Sequence, residues 1–154
     1  MKKCLICSNE FNPFVDFGSM PIANAFSTKK ELENEYFFPM QVGFCETCKM
    51  VQLLEQPDRE KMFHDSYAFF SSTSNYMINH FKKFASSVSS LQNLGNKSFV
   101  VEIGSNDGIM LQNFVSDKIP CLGIEPSKNV ANVAMERGIE VTTEFFDRPL
   151  AEKI

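Results

Sequence analysis

The sequence predicts an α/β protein that begins with a small cysteine-rich module. Two observations support this prediction: four cysteines form two Cys-x-x-Cys pairs, and strand-like and helix-like stretches alternate beyond residue 97. An alternation of strand, helix, strand, helix and strand is typical of a parallel sheet. We expect three regions: a zinc-binding module at 1–62, a connecting segment with one helix at 63–97, and the first part of a parallel α/β sheet at 98–154.

The composition disfavours several classes of function. The 154 residues are 44% hydrophobic and 22% charged, an ordinary globular mixture. The net charge is -4 and no basic cluster is longer than Lys82 and Lys83, which disfavours a nucleic-acid partner. No apolar run approaches the roughly 18 residues of a membrane span, and the N-terminal sequence breaks off before a signal-peptide core can form. We therefore expect a cytoplasmic protein without a membrane partner.

The cysteine pairs of the first region predict a metal site. Paired cysteines in a reducing compartment are expected to be metal ligands rather than disulfides. Soft thiolates at this spacing suit Zn²⁺ and exclude Ca²⁺ and Mg²⁺. Four protein ligands close the coordination sphere, so the single ion is expected to be structural. The predicted ligands are Cys4, Cys7, Cys45 and Cys48.

The segment between the two cysteine pairs contains few residues that could form a hydrophobic core. The stretch from Asp16 to Phe26 is rich in loop-forming residues, whereas 38–44 alternates like a strand entering the second pair and 50–54 like a strand leaving it. So small a region needs its metal, and ligation is expected to supply on the order of 10 kcal/mol of folding free energy.

A single amphipathic helix is predicted in the second region. Its apolar face is expected to pack on the neighbouring sheet. Ser72 or Ser74 is the expected N-cap, and Gly95 is the expected stop. The residues of the face, at helical spacing, are Met77, Phe81, Phe84, Val88 and Leu91.

The third region supplies three strands and two helices in alternation. Cys121 stands alone in the second, apolar strand and is expected to be a core residue. The end of the chain, from Arg148, is expected to begin another helix. Ligands of such sheets bind outside the carboxyl ends of the strands. The predicted elements are strands at 98–103, 120–125 and 139–143, and helices at 108–115 and 128–137.

The loop after the first of these strands has the composition of a cofactor loop. Its glycines allow a sharp turn and a close approach of a ligand. A dinucleotide fingerprint requires two further glycines after Gly104, but this sequence has Asn106 and Ile109 at those positions. An acidic residue followed by Gly-x-x-x-Gly matches the S-adenosylmethionine sites of α/β methyltransferases instead. Glu125, 23 residues beyond Glu102, is placed to accept hydrogen bonds from ribose hydroxyls.

Five segments carry a resemblance to a known family. They are Cys4-x-x-Cys7, Phe17-Gly-x-x-Pro21-x-x-Asn24-x-Phe26, Cys45-x-x-Cys48-x-x-x-Gln52-Leu53, Tyr67 to Ser74, and Val101-Glu-Ile-Gly-Ser-Asn-Asp-Gly-Ile-Met-Leu111. Together they resemble the zinc-containing sugar C-methyltransferases, which methylate C3 of nucleotide-linked 4-keto-deoxysugars through an enolate. One position differs from the family pattern: family members often show Tyr-x-Tyr, and Phe69 replaces the second tyrosine here.

The resemblance implies the N-terminal portion of a class I (Rossmann-like) methyltransferase. A seven-stranded sheet needs about 200 residues, and this chain supplies only three strands, so we expect a truncated enzyme that is inactive by itself. The family's proposed base, a histidine of a Glu-His pair, lies beyond this chain, so no catalytic residue is assigned. The expected S-adenosylmethionine contacts are Glu102, Gly104, Ser105, Asn106, Gly108 and Glu125, with Tyr67 and Ser71 facing the cofactor.

Two other classes of function remain as alternatives. A zinc-ribbon interaction module would use the α/β part as a scaffold, and a fragment of an NAD-dependent oxidoreductase would use the acidic residues for ribose. Phe145 and Phe146 either flank an adenine or pack in the core. His64 and His80 belong to no recognised pattern. The sequence leaves the sugar nucleotide and the oligomeric state open.

Overall fold

The computed structural model describes residues 2–24 and 26–154. Met1 and Ala25, which belong to the predicted module of 1–62, lie outside the described residues. The chain forms two compact units, the first ending at Met62 and the second spanning Phe63–Ile154. The helix of the connecting segment therefore shares a unit with the parallel sheet. No helix in the described part is long and apolar enough to cross a membrane.

The first unit is a four-stranded antiparallel sheet in the order β1-β2-β3-β4. The strands are β1 Lys2–Lys3, β2 Glu10–Pro21, β3 Phe37–Phe44 and β4 Val51–Leu53. Two short helices accompany them, α1 Lys29–Leu32 and α2 Arg59–Met62. The strands predicted on either side of the second cysteine pair are confirmed. The first cysteine pair lies in the hairpin between β1 and β2, and the second lies in the hairpin between β3 and β4.

The prediction of a loop-rich stretch after Asp16 is wrong as far as Pro21, because this part continues β2. The strand accommodates its turn-forming residues through shifts in register against β3, one of them between Asp16 and Ser19. The Asp16 carboxylate accepts a hydrogen bond from the Gly18 amide (2.8 Å) and another from the Gln41 side chain (2.8 Å). Such bulges let a strand absorb residues that otherwise favour turns.

The core of the first unit is very small. Its buried hydrophobic residues, within the described part, are Cys4, Phe11, Phe38 and Cys45. Two of these four are predicted metal ligands, and Phe11 packs directly against both. Apolar burial alone therefore supplies little of the free energy that this unit needs to fold.

The second unit is built on a parallel three-stranded sheet in the order β5-β6-β7, which confirms the predicted sheet. Among the described residues, the two outer strands of this sheet, β5 and β7, each have one unpaired edge. The strands are β5 Val100–Ile103, β6 Cys121–Ile124 and β7 Glu140–Thr142. The helices are α3 Asn75–Gln92, α4 Leu111–Ser116, α5 Lys128–Glu136 and α6 Arg148–Lys153, and a single 3-10 turn, Ser71–Thr73, precedes α3.

One hydrophobic core joins the helices of this unit to its sheet. Leu111 and Phe114 of α4 pack with Ala134 of α5, Ala85 of α3 and Cys121 of β6. Cys121 is only 8% exposed, so the prediction of a core cysteine is confirmed. Burial raises the pKa of its thiol, which keeps it in the unreactive protonated form.

The long helix α3 exists as predicted, with Ser74 as its N-cap, but the predicted apolar face is wrong at two positions. Phe84 is 48% exposed and Leu91 is 77% exposed. The buried residue is Ala85, which lies in the core with α4. Its small side chain permits close contact between the two helices, while Met77, Phe81 and Val88 of the predicted face are half-buried.

Helix α4 begins at Leu111 and not, as predicted, at Gly108. Gly108 has a φ of +76°, in the left-handed region that a right-handed helix cannot include. Residues 108–110 therefore form a turn that separates the loop from the helix. Asn106 also lies in this region, with a φ of 49°, which asparagine tolerates better than most residues.

Candidate metal centre and cofactor site

The two cysteine pairs adopt the same local structure. In each pair the amide of the residue after the second cysteine bonds back to the first cysteine: Ser8 donates to the Cys4 carbonyl and Lys49 to the Cys45 carbonyl, both at 2.8 Å. Ser8 and Lys49 both have left-handed backbones, with φ values of 59° and 64°. The chain thus repeats one knuckle, and each knuckle presents its two sulfurs on the same side.

The four sulfur atoms form one cluster. The Sγ atoms of Cys4 and Cys48 lie 3.5 Å apart, as do those of Cys7 and Cys45, and all four lie within 4.8 Å of one another. Tetrahedral zinc with Zn–S bonds of about 2.3 Å separates its sulfurs by about 3.8 Å. The cluster therefore has the donor set and the size of a zinc site, and four protein ligands leave no open position for catalysis.

The thiols cannot all be charged without a cation. A hydrogen bond from the Cys7 backbone lowers the pKa of Cys4 to about 6. The Met50 backbone lowers the pKa of Cys48, but burial and the neighbouring thiols outweigh it and raise that pKa to about 12. A divalent ion removes this conflict by pairing with every thiolate, so metal binding is expected to release protons.

In the second unit a cavity of about 280 Å³ opens at the carboxyl ends of β5 and β6. Two predicted cofactor residues, Gly104 and Glu125, reach it from these two strands. The other walls are apolar and include Phe145 and Phe146, which the sequence placed either beside an adenine or in the core. The full lining is Phe63, Ile103, Gly104, Ile124, Glu125, Pro126, Phe145 and Phe146.

The backbone amides of the loop bond to the protein itself. Gly104 and Ser105 both donate to the carbonyl oxygen of Ile124, at 2.8 and 3.2 Å. The Asn106 amide donates to the Glu125 carboxylate at 3.0 Å. The loop is therefore fixed to the end of β6 by three consecutive amides, and these N–H groups do not point into the cavity.

Glu125 holds the loop and lines the cavity at the same time. It is 5% exposed, and its two oxygens accept hydrogen bonds from the amides of Asn106 (3.0 Å) and Ser127 (2.9 Å). Each carboxylate oxygen accepts more than one hydrogen bond. Glu125 therefore retains acceptor capacity for a hydroxyl group in the cavity.

The predicted contacts Tyr67 and Ser71 belong to a segment, 67–74, that is bound to this loop. The Asn106 side chain accepts from the Ser71 amide (2.9 Å) and donates to the Phe69 carbonyl (3.0 Å). Asn129 donates to the Tyr67 carbonyl at 2.7 Å. The structure thus brings the backbone of Ser71 and the side chain of Asn106 together, while Tyr67 is held through its backbone, and contact of these residues with a cofactor stays a prediction.

Of the predicted contacts, Gly104 and Glu125 line the cavity, whereas Tyr67, Ser71 and Asn106 lie outside its lining. The three remaining predicted contacts also lie outside it. Ser105 is 1% exposed and its hydroxyl packs against Gly123, whereas Gly108 packs against Ile139. Glu102 is half-buried, and its Oε2 atom has no hydrogen-bond partner. A role of these residues in binding the cofactor stays a prediction.

Burial raises the pKa of Glu102 to about 7, from an ordinary value of 4.5. The folded state therefore holds a proton that the unfolded state releases between these two values. The free energy of unfolding is expected to fall as the pH rises from about 4.5 to about 7, and to stay lower above that range. Glu102→Gln, which cannot ionise, should escape this loss and be more stable than the wild type at pH 8 by about 1–2 kcal/mol.

Urea unfolding of both proteins at pH 5 and pH 8 checks this expectation, and the exposed Glu136→Gln serves as the control. The two variants contain the same metal site, so its own pH dependence cancels in the comparison. An advantage of Glu102→Gln that is equally large at pH 5 would contradict the proposed ionisation.

Sequence reasoning missed several residues around the site. Asp107, Asn129 and Arg137 contact the loop or the 67–74 segment, and Phe63 lines the cavity. Of these residues, only Asp107 lies within a motif that the sequence analysis recognised, the loop after β5. The histidines lie outside the cavity lining: His64 bonds to Ser66 and His80 contacts the ring of Phe81.

Comparisons with known proteins relate this chain to a family of domains and to a C-methyltransferase. Residues 4–63 match a methyltransferase-associated family described as "Putative zinc binding domain". The chain is also 29% identical, over 154 residues, to the C-methyltransferase NovU of Streptomyces niveus. That match covers 99% of this chain and 36% of the relative, so the chain spans about a third of the relative's length. The predicted resemblance is therefore confirmed: the chain is similar to the N-terminal portion of a C-methyltransferase, and its own residues 4–63 match a zinc-binding domain family.

Proposed function

We propose that this chain is the N-terminal portion of an S-adenosylmethionine-dependent C-methyltransferase with a class I fold. The first unit holds one structural Zn²⁺ ion, and the second supplies part of the cofactor site. The observation that carries the proposal is the convergence of Gly104 and Glu125, from the ends of two adjacent parallel strands, on one cavity. Ligands of parallel sheets bind at this position.

The walls of the cavity suit the parts of this cofactor. Phe63, Phe145 and Phe146 supply apolar surface for an adenine, and Glu125 supplies an acceptor for ribose hydroxyls. At Gly104, with a φ of +74°, no atom of the described residues other than the glycine and its two chain neighbours lies within 4 Å of the position that a Cβ would take. That open space lets a ligand approach the backbone.

The hydrogen bonds of the loop argue against NAD. A pyrophosphate binds to free backbone N–H groups at the start of a helix. Here the amides of Gly104, Ser105 and Asn106 are already bonded to β6 and Glu125. The Glu125 carboxylate also repels a pyrophosphate and attracts a sulfonium ion.

We propose a nucleotide-linked 4-keto-deoxysugar as the methyl acceptor. The ketone at C4 acidifies the proton at C3, and its removal gives an enolate whose C3 carbon attacks the sulfonium methyl group, with S-adenosylhomocysteine leaving. The resemblance of the motifs supports this assignment. We assign no catalytic residue to this chain and propose that the base belongs to the part of the enzyme beyond it.

Titration calorimetry of the zinc-loaded chain tests the cofactor. We expect binding of S-adenosylmethionine and no binding of NAD. Gly104→Ala adds a methyl group where the ligand approaches, and it should weaken S-adenosylmethionine binding at least tenfold, about 1.4 kcal/mol.

Gly138→Ala is the matched control for this variant. Gly138 also has a left-handed backbone, with a φ of +80°, and also has open space at its Cβ position. It follows α5 and does not line the cavity. Both variants therefore carry the same backbone strain, and only Gly104→Ala should lose affinity. Preferential binding of NAD would favour an oxidoreductase, and binding of neither ligand would favour the interaction module.

A further inference from the structure

A cluster of polar and charged side chains surrounds the buried Asp107 of the loop and lies outside the cavity lining. Asp107 is fully buried, and its Oδ2 atom accepts hydrogen bonds from both the amide (2.9 Å) and the hydroxyl of Ser72. Arg137, at the end of α5, donates to the Asp107 carbonyl (2.7 Å) and to the Ser72 hydroxyl (2.8 Å). We call Ser72, Asp107 and Arg137 the latch.

The latch combines features that maintain a fixed geometry. A fully buried carboxylate is tolerated only when it is paired and hydrogen-bonded. The Arg137 guanidinium lies 3.8 Å from the second oxygen of Asp107, and its planar fork bonds to two groups at once. Because Ser72 both donates to Asp107 and accepts from Arg137, no member can move without breaking a bond to another.

The latch completes a series of anchors along the 67–74 segment. Asn129 holds the carbonyl of Tyr67, Asn106 holds the backbone of residues 69 and 71, and Asp107 holds Ser72. The segment then ends at Ser74, which caps α3. Tyr67 and Ser71 therefore have positions set by side chains of the loop and of α5.

We propose that Ser72, Asp107 and Arg137 are positioning residues that set the distance between the 67–74 segment and the cofactor loop. None of the three lines the cavity, so their effect on a ligand is indirect. Asn106 of the loop connects the segment to the site, because its side chain accepts a hydrogen bond from Ser71 and its amide donates one to Glu125. This inference rests on the proposed function, because the ligand in question is S-adenosylmethionine.

Ser72→Ala tests the latch with little risk of misfolding. It removes one hydroxyl and leaves no buried charge unpaired, since Arg137 still reaches Asp107. We expect S-adenosylmethionine to bind about tenfold more weakly to this variant, measured by calorimetry well below the unfolding temperature. Ser72→Thr keeps the hydroxyl and should restore the affinity.

Ser116→Ala is the control, because it removes an exposed hydroxyl that bonds within α4. A latch that merely stabilised the fold would lower the unfolding temperature of Ser72→Ala but leave its affinity unchanged, and that result would overturn the inference. Equal affinities of Ser72→Ala and Ser72→Thr would overturn it as well. If the wild-type chain itself bound no S-adenosylmethionine, the proposed function and this inference would fail together.

Discussion

Removing the metal ion from the four-cysteine site is expected to unfold the first unit and to leave Phe63–Ile154 folded. The reason is the size of the core, in which Phe11 and Phe38 are the buried hydrophobic residues other than cysteine within the described part of this unit. Binding of structural zinc supplies on the order of 10 kcal/mol, which exceeds what two buried rings contribute. The second unit has its own core around Leu111 and Phe114 and does not depend on the metal.

Hydrogen exchange before and after treatment with a strong chelator measures this effect for each unit separately. Amides of β2 and β3 should lose their protection, whereas those of β5 and β6 should keep it. Cys45→Ser should reproduce the effect of the chelator, and Cys121→Ser should leave one zinc bound per chain. Retention of protection in β2 and β3 without metal would contradict a folding role for the ion.

The metal site was predictable because its signal is local. Each knuckle is a short turn in which two cysteines, separated by two residues, face one point, and no distant residue is needed to recognise it. Strand β2 shows the opposite case. Its glycine and asparagine residues favour turns, but pairing with β3 and bulges such as the one at Asp16 outweigh that local preference. Only knowledge of the partner strand would have corrected the prediction.

The parallel sheet could be predicted because strands and helices alternate along the chain. The position of Glu125 at the end of a strand followed from the same pattern, and the cavity lies there. The hydrogen bonds that make it a support of the loop did not follow, because they depend on the exact turn between Gly104 and Asn106.

The sequence gives no indication of hydrogen-bond networks between residues that lie far apart along the chain. Ser72, Asp107 and Arg137 occupy a turn, a loop and a helix end, and each residue type is common on protein surfaces. Periodicity predicted α3 but placed Phe84 and Leu91 on its buried face, whereas Ala85 and not a large side chain lies at the contact with α4. Such contacts depend on how elements pack, and a sequence pattern describes each element alone.

Gly108→Ala is expected to destabilise the second unit by about 2–4 kcal/mol. Two costs add up in this variant. The backbone at Gly108 has a φ of +76°, which costs an alanine about 1 kcal/mol. The new Cβ would also collide with the Cδ1 atom of Ile139 and would lie 3.0 Å from the Cβ of Ala134, and overpacking of this kind costs about 1–3 kcal/mol. Gly108 is thus required for packing even without a ligand.

Two further variants separate these costs in urea unfolding. Gly138→Ala has the same left-handed strain without a collision and should lose only about 1 kcal/mol. Ile139→Val removes the Cδ1 atom with which the new methyl group collides, so it should cost less in the Gly108→Ala background than in the wild type. A double-mutant cycle expresses this difference as a coupling energy. If Gly108→Ala lost no more stability than Gly138→Ala but abolished binding of S-adenosylmethionine, Gly108 would be a cofactor residue, as the sequence predicted, and not a packing residue.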